Sequence, residues 1–186
     1  WPTFARDGEN TGYAPDIDGP YTEIGQAWEF ETASAITASP AIDGNTRYVG
    51  STDGAVYALD PYVGVELWSF ETDGPIAGTP AIVDGTLYIG SADTHLYAID
   101  TDDGTERWRF ETGGRVDSSP TVADGTVYVG TVSSAVFAVD RETGDERWRF
   151  GTGASVLGAP AVSDETVYAG SGDQRVYAID ADGSQR

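Results

Sequence analysis

Residues 98–108 read Ala-Ile-Asp-Thr-Asp-Asp-Gly-Thr-Glu-Arg-Trp, and this stretch decides the fold because the chain repeats it. Residues 58–68 read Ala-Leu-Asp-Pro-Tyr-Val-Gly-Val-Glu-Leu-Trp, and residues 138–148 read Ala-Val-Asp-Arg-Glu-Thr-Gly-Asp-Glu-Arg-Trp. A further copy begins at residue 178, so successive copies start 40 residues apart without insertion or deletion. A fixed period of this length is the signature of a repeat architecture.

Each repeat contains columns of apolar residues that follow the period of a strand. The pattern Trp-x-Phe-x-Thr places alternate residues on one face, as expected for a strand with one buried side. Asp84-Gly85 and Asp124-Gly125 are signals for type I′ turns, with Asp43-Gly44 and Asp164-Glu165 as looser copies. The tryptophan column consists of Trp28, Trp68, Trp108 and Trp148.

These columns predict four short strands per repeat, which we name A to D in chain order. Strand A runs from about residue 36, B over 47–50, C over 55–60 and D over 66–72 in the first repeat. Four strands in a 40-residue unit indicate an all-β propeller blade. The predicted division is an extended lead-in at 1–25, a closing D strand at 26–32, and blades near 33–72, 73–112, 113–152 and 153–186.

The order of the predicted strands raises the question of how the ring closes. The chain begins with a lone D strand at 26–32, and its last repeat lacks one. The first D strand can complete the last blade and so remove an open sheet edge. This closure gives a four-bladed ring in one chain, or an eight-bladed ring in a strand-swapped homodimer. A piece of a longer propeller is the third alternative, because such blades are more usual in rings of seven or eight.

The charge of the chain restricts its environment and its partners. The chain has 31 acidic and 10 basic residues, all of the latter arginine, and its formal net charge is −21. An acidic surface without lysine suits molar salt, where carboxylates are screened, so we expect a halophilic protein. Nucleic acid is excluded as a partner because no basic cluster exceeds the pair Arg107 and Arg109.

The hydropathy pattern gives little information on location. No apolar run reaches the roughly 18 residues of a membrane-spanning helix. The chain starts at Trp1 rather than at methionine, which suggests a processed or trimmed chain and is compatible with removal of an export signal. We therefore expect an extracellular or cell-surface-attached protein, with the cytoplasm as the open alternative.

The motif Ala-x-Asp-x-x-x-Gly-x-x-x-Trp resembles the tryptophan-docking motif of pyrroloquinoline-quinone (PQQ) type propeller repeats. The resemblance covers nearly the whole chain and implies that the tryptophans dock on the glycines of the C–D turns. Glycine allows a tight turn and leaves bare backbone on which an indole can stack. The predicted structural docking residues are Trp28, Trp68, Trp108 and Trp148 with Gly64, Gly104 and Gly144.

The resemblance implies two kinds of function. The family includes quinoprotein dehydrogenases and also non-catalytic propellers such as the outer-membrane-assembly lipoprotein scaffold. Quinoprotein alcohol dehydrogenases use a vicinal cysteine pair and a calcium ion, whereas this chain contains no cysteine. We expect a non-catalytic protein-interaction or scaffolding module without PQQ or calcium. The alternatives are a fragment of a PQQ-dependent dehydrogenase and a sensor domain of a larger protein.

The sequence suggests no catalytic, cofactor-binding or metal-binding set. His95 is the only histidine and cannot build a zinc site alone. Residues 100–104 resemble part of a calcium loop, but the ligand at the twelfth position is absent. The B–C loops and D–A junctions differ between repeats and should share one face, where binding is expected. The candidate partner-binding residues are Asp53, Asp93, His95, Arg115, Asp117, Asp173 and Arg175.

Overall fold

The computed structural model describes residues 26–185, so the predicted lead-in at 1–25 lies outside the described residues. Short antiparallel strands make up the described part of the chain, at the positions where the apolar columns predict them. The strands are β1 (Ala41–Asp43), β2 (Thr46–Gly50), β3 (Ala55–Leu59), β4 (Glu66–Glu71), β5 (Ala81–Val83), β6 (Thr86–Gly90), β7 (His95–Asp100), β8 (Glu106–Glu111), β9 (Thr121–Ala123), β10 (Thr126–Thr131), β11 (Ala135–Asp140), β12 (Glu146–Gly151), β13 (Ala161–Ser163), β14 (Thr166–Ser171) and β15 (Arg175–Asp180).

The strands form four blades in sequence order. Blades 1, 2 and 3 are the sheets β1–β4, β5–β8 and β9–β12, and blade 4 is the three-stranded sheet β13–β15. Within each blade, neighbouring strands in the chain pair as neighbours in the sheet. The first strands of successive blades contact one another, which makes them the inner strands. The predicted all-β, four-bladed propeller architecture is confirmed.

The beginning of strand A was predicted wrongly. The prediction placed it from about residue 36, whereas β1 begins at Ala41, directly after Pro40. Proline has no amide hydrogen to donate to a ladder, so a strand cannot pair through it. The junction residues instead make contacts between blades: Ile76 packs on Gly50 of the preceding blade, and the amide of Ser39 donates to the Thr79 hydroxyl at 3.2 Å.

The closing D strand predicted at residues 26–32 is not a strand in the structure. A D strand exists only as the ladder partner of a C strand, and the described sheets give this segment no such partner. The last blade has correspondingly no full D strand within residues 26–185, where an isolated bridge joins Ile179 and Gln185. Within residues 26–185 the blades therefore form an arc with two open ends.

The A–B turns confirm the type I′ signals in blades 2 and 3. Asp84 and Gly85 have φ values of 49° and 72°, and the next turn repeats this geometry. In blade 4 the same positions are held by Asp164 and Glu165, with φ values of 48° and 59°. In blade 1 the left-handed residue is Gly44, the first turn residue, so the turn lies one position later than Asp43-Gly44. Glu165 therefore occupies a position that favours glycine.

We expect Glu165→Gly to raise the free energy of unfolding by about 0.5–1 kcal/mol. The left-handed conformation costs a side-chain-bearing residue about 1–2 kcal/mol, and part of the gain is offset by the greater freedom of glycine in the unfolded chain. Denaturant unfolding in molar salt measures the change. The reverse variant, Gly85→Glu, is the matched control and should be destabilised. A lower free energy of unfolding for Glu165→Gly than for the unmodified protein would contradict backbone strain at Glu165.

The hydrophobic core lies between the blades rather than within them. Each of three buried clusters combines residues of two successive blades, as Tyr48 and Val56 of blade 1 do with Ile76 and Leu87 of blade 2. A blade is a thin sheet that cannot cover both of its faces alone, so stacking supplies the burial. The stacking of the blades therefore also fixes the relative positions of the loops that connect the strands.

The tryptophan column joins each blade to the next one. The indole of Trp68 lies on the C–D turn of blade 2, where a Cβ at Gly104 would be 2.7 Å from Cδ2 of the ring. Its Nε1 donates a hydrogen bond to the carbonyl oxygen of Thr101 at 3.0 Å. The same arrangement occurs at Trp28 on Gly64, Trp108 on Gly144 and Trp148 on Gly183. Gly183 was missed in the sequence because the last C–D turn is one residue shorter.

Candidate functional site

The B–C turns and the D–A junctions lie side by side on one face of the propeller. Backbone amides of the turns donate to carbonyl oxygens of the junctions, as Ala92 does to Pro75 and Val132 to Arg115, both at 2.9 Å. We call this surface the loop face. It consists of residues 33–37, 51–54, 73–77, 91–94, 113–117, 131–134, 153–157 and 171–174.

The aspartates of the loop face hold the turns in place. Asp93 Oδ2 accepts hydrogen bonds from the hydroxyl of Tyr97 at 2.7 Å and from the amide of Asp73 at 3.1 Å. Its Oδ1 accepts the amide of His95 at 2.9 Å. Asp53 and Asp173 make the equivalent three contacts in blades 1 and 4. These carboxylates, predicted as partner-binding residues, are thus engaged in structural hydrogen bonds.

The electrostatics of these residues reflect the same contacts. Burial raises the pKa of Asp93, but hydrogen bonds from Tyr97 and from the amides of His95 and Asp73 outweigh burial and lower the pKa overall. Burial and the hydrogen bond to Asp53 raise the pKa of Tyr57 to about 12. The lowered pKa keeps the carboxyl group of Asp93 ionised around neutral pH, and the raised pKa keeps the phenol of Tyr57 protonated.

Blade 3 shows that the aspartate and the tyrosine form one structural unit. Ser133 replaces the aspartate there, and Phe137 replaces the tyrosine four residues later. The hydroxyl is lost together with its acceptor, so neither group is left buried without a partner. The joint change was visible in the sequence columns, but only the structure shows that the two side chains touch.

We therefore expect the energies of Asp93→Ser and Tyr97→Phe to be coupled. Asp93→Ser alone should cost about 1–3 kcal/mol, because it leaves the buried Tyr97 hydroxyl without its acceptor. In the Tyr97→Phe background the same change should cost less, as the pair in blade 3 indicates, with a coupling energy of about 0.5–3 kcal/mol. Denaturant unfolding of the four proteins measures the cycle. Additive effects would contradict the coupling.

The remaining predicted partner-binding residues lie in separate pairs. His95 Nδ1 is 3.3 Å from Asp93 Oδ1. Arg175 lies 3.8 Å from Asp173 Oδ2, and 70% of its side chain is exposed. A guanidinium nitrogen of Arg115 is 2.9 Å from Asp117 Oδ2. The structure therefore places the predicted residues in blades 1, 2 and 4 and at the junction before blade 3, and it brings together only these local pairs.

Arg115 and Asp117 have an apolar neighbour that was not among the predicted site residues. Val132 is 39% exposed, and its amide is bonded to the carbonyl oxygen of Arg115. The equivalent residues in the other repeats are Thr52, Ala92 and Gly172. A comparison of the repeats therefore already marked position 132 as the one with a larger apolar side chain. We call Arg115, Asp117 and Val132 the loop-face patch. Exposed arginine beside an apolar side chain is typical of protein-binding surfaces.

Asp117 contributes an acceptor that its neighbours do not use. Within residues 26–185, its Oδ1 is buried and accepts no hydrogen bond. A buried acceptor without a donor costs free energy, so this carboxylate is less well satisfied than those of Asp53, Asp93 and Asp173. The patch thus combines an exposed cation, an exposed apolar side chain and a buried carboxylate oxygen without a donor among the described residues.

The segment that resembles a calcium loop is a salt-bridged turn. Asp100 Oδ2 lies 2.7 Å from a guanidinium nitrogen of Arg107, and its Oδ1 accepts the amide of Asp102 at 2.8 Å. The hydrogen bonds from Arg107 and the turn amides lower the pKa of Asp100. Among the described residues, no three His, Asp or Glu side chains are grouped so that they could hold a metal ion.

The described part of the chain also contains no helix that is both long and apolar enough to cross a membrane.

Comparison with protein families gives a match over most of the chain. A family model described as outer membrane protein assembly factor BamB matches residues 24–118 and 98–186. No curated protein sequence gives a significant match.

Solved structures share the fold at low sequence identity. BamB from Moraxella catarrhalis is 25% identical, with a TM-score of 0.76 over 86% of this chain and 53% of that one. The chain therefore spans about half the length of that relative. Quinohemoprotein alcohol dehydrogenase from Comamonas testosteroni is 19% identical, with a TM-score of 0.82 over 100% of this chain and 40% of that one. The computationally designed Ika4 protein is 20% identical, with a TM-score of 0.74 over 85% of this chain and 99% of that one.

Proposed function

Because the chain belongs to the PQQ-type propeller repeat family whose matching model is described as outer membrane protein assembly factor BamB, we propose that it is a non-catalytic protein-interaction or scaffolding module. The partner is a protein that binds the loop-face patch. In this proposal the blades are a rigid support, and the non-repeating loop residues select the partner.

The observation that carries the proposal is that repeated residues make the structural contacts, whereas residues that differ between repeats are exposed on the loop face. The repeated tryptophans contact the next blade, and the repeated aspartates hold the turns. The loop-face patch differs from the equivalent positions of the other blades and is exposed at Arg115 and Val132. These are the properties expected of a binding surface on a repeat scaffold.

Site-specific photo-crosslinking in the host cell tests the proposed surface. A photoreactive residue at position 132 should give one discrete protein adduct, and Arg115→Ala should reduce its yield. The matched control carries the same residue at position 63, where Val63 is 62% exposed in a C–D turn. Absence of an adduct at 132, or equal adducts at both positions, would contradict a specific partner on the loop face.

We propose in addition that the protein needs neither PQQ nor calcium. The chain has no cysteine, and the carboxylates of Asp53, Asp93 and Asp173 are already engaged by the turns. Titration calorimetry with PQQ and Ca²⁺ should show no saturable binding, and a dye-reduction assay with alcohols and sugars should show no turnover. Stoichiometric PQQ binding with turnover would establish the dehydrogenase alternative instead.

We propose an extracellular or cell-surface location, with the cytoplasm as the alternative. The family description concerns outer membrane protein assembly, and the acidic composition suits contact with concentrated salt. Fractionation of cells that express the tagged full-length gene product tests the location. Recovery in the cytoplasmic fraction alone would contradict it.

A further inference from the structure

The blades are joined by one interface that the chain makes three times. The space in which a Cβ would lie at Gly50 is filled by the side chain of Ile76 from the next blade. The amide of Ile76 donates to the carbonyl oxygen of Ser51 at 3.1 Å. Val116 on Gly90 and Val156 on Gly130 repeat the contact, and all three apolar side chains are fully buried. Each interface thus consists of a side-chain knob, a glycine socket and a backbone hydrogen bond.

The two ends of the arc expose the two halves of this interface. The knob of blade 1 is Ile36, which is 45% exposed, whereas its three equivalents are 0% exposed. The socket of blade 4 is Gly170, where a Cβ would meet nothing within 4 Å. An open groove of about 400 Å³ lies beside Gly170, and Leu157 and Val176 contribute to its walls.

Apolar side chains around the socket show the size of the exposed end. Val176 is 75% exposed, whereas the equivalent Val56, Leu96 and Val136 are 0% exposed under a following blade. Tyr168 is likewise 41% exposed, although Tyr48, Tyr88 and Tyr128 are buried. A contiguous apolar end of this kind on a protein surface marks an interaction site.

The segment at residues 26–32 is positioned to complete another blade. Trp28 lies on the C–D turn of blade 1, and its Nε1 donates to the carbonyl oxygen of Pro61 at 2.8 Å. Phe30 contacts Tyr57 with ring centroids 5.2 Å apart, as Phe70 contacts Tyr97. The segment therefore already occupies the place of a D strand relative to blade 1, and it lacks only a C strand beside it.

Strand β15 is the C strand that fits this segment. In the complete blades, Ala58, Ala98 and Ala138 pair with the D-strand tryptophans. The same register would set Ala178 opposite Trp28, and Arg175 opposite Glu31. Opposite charges directly across an antiparallel pair stabilise it. The two ends are therefore complementary in shape, in backbone pairing and in charge.

We propose that a second copy of this chain binds at both ends, so that two arcs form one eight-bladed ring. Gln185 already bridges Ile179, so residues 28–32 of each copy extend blade 4 of the other from Ala178 onward, and Ile36 of each copy fills the socket at Gly170 of the other. The ends are apart in the single chain, as the exposure of both Ile36 and Val176 shows. A two-fold ring covers all four ends and leaves no edge for further growth.

Light scattering after size exclusion measures the mass of the assembly and so tests the ring. The measurement is made in molar salt, which screens the repulsion between two copies that each carry a net charge of −21. We expect the mass of two chains. Ile36→Asp and Gly170→Val should each shift the protein to the mass of one chain while thermal unfolding stays cooperative, since both positions are open in the single chain. Val63→Asp adds the same charge on an exposed turn and should keep the two-chain mass.

Three results would overturn the proposal. A single-chain mass for the unmodified protein at all concentrations would mean that the ends stay open or close on each other. A mass that grows beyond two chains with concentration would mean an open-ended assembly. A two-chain mass that persists in both Ile36→Asp and Gly170→Val would place the contact on another surface.

Discussion

Trp108→Ala should lower the free energy of unfolding by about 3–5 kcal/mol, the range for deletion of a large aromatic side chain from a core. The indole lies on the backbone of Gly144 in the next blade, 5.8 Å from the ring of Tyr88, and donates to the carbonyl oxygen of Arg141 at 3.0 Å. Its removal leaves a cavity between two blades and takes the shorter of two hydrogen bonds from the Arg141 carbonyl oxygen, which also accepts the Tyr88 hydroxyl at 3.4 Å. Denaturant unfolding in molar salt measures the loss.

Arg109→Ala is the matched control for this variant. Arg109 is the next residue on β8 and points to solvent with 58% of its side chain exposed, so its loss should change stability by less than about 0.5 kcal/mol. A second variant, Gly144→Ala, introduces a Cβ 2.8 Å from Trp108 at a φ of 77° and should also be destabilised. A change below about 1 kcal/mol for Trp108→Ala would mean that the indole does not join the blades.

Dialysis from molar salt to about 0.1 M salt should unfold the protein, with loss of the folded far-UV signal. The Debye length is then about 10 Å, so carboxylates on neighbouring turns repel one another across the surface. The net charge of −21 comes from 31 acidic and 10 basic residues, so ion pairs can compensate only a minority of the carboxylates. The melting temperature should rise steadily with salt concentration.

The control for the salt prediction separates screening from general stabilisation. Sucrose stabilises folded proteins by exclusion from their surface but does not screen charge. Sucrose at low salt should therefore restore much less of the folded signal than potassium chloride does. A melting temperature that is flat between about 0.1 M and molar salt would show that repulsion does not control folding.

The sequence was sufficient for the architecture because the blade is encoded by short-range patterns. The period of 40 residues, the alternation around Trp108 and the Asp84-Gly85 turn each specify local structure. The two errors in strand assignment have different physical origins. Whether residues 26–32 form a strand depends on a ladder partner elsewhere in the chain, and no local pattern contains that information. The start of strand A was marked locally by Pro40, which has no amide hydrogen to donate.

The candidate site was less predictable because exposure depends on contacts between distant segments. Asp93 looked like an acidic surface residue, but the hydroxyl of Tyr97 and the amide of Asp73 engage it. Val132 was overlooked because an apolar residue in a strand-rich repeat is usually buried. The columns nevertheless held one usable signal, the paired replacement of Asp by Ser133 and of Tyr by Phe137, which marks the two positions as partners.

Hydrogen exchange tests most directly whether one repeated interface holds the propeller together. The amides of Ile76, Val116 and Val156 donate to Ser51, Ser91 and Thr131 across three successive interfaces, at 3.1, 3.0 and 3.0 Å. In molar salt these three amides should exchange only through global unfolding, with protection equal to that of the central C strands. Exchange of these amides as fast as in the exposed C–D turns, while the strands stay protected, would contradict the account.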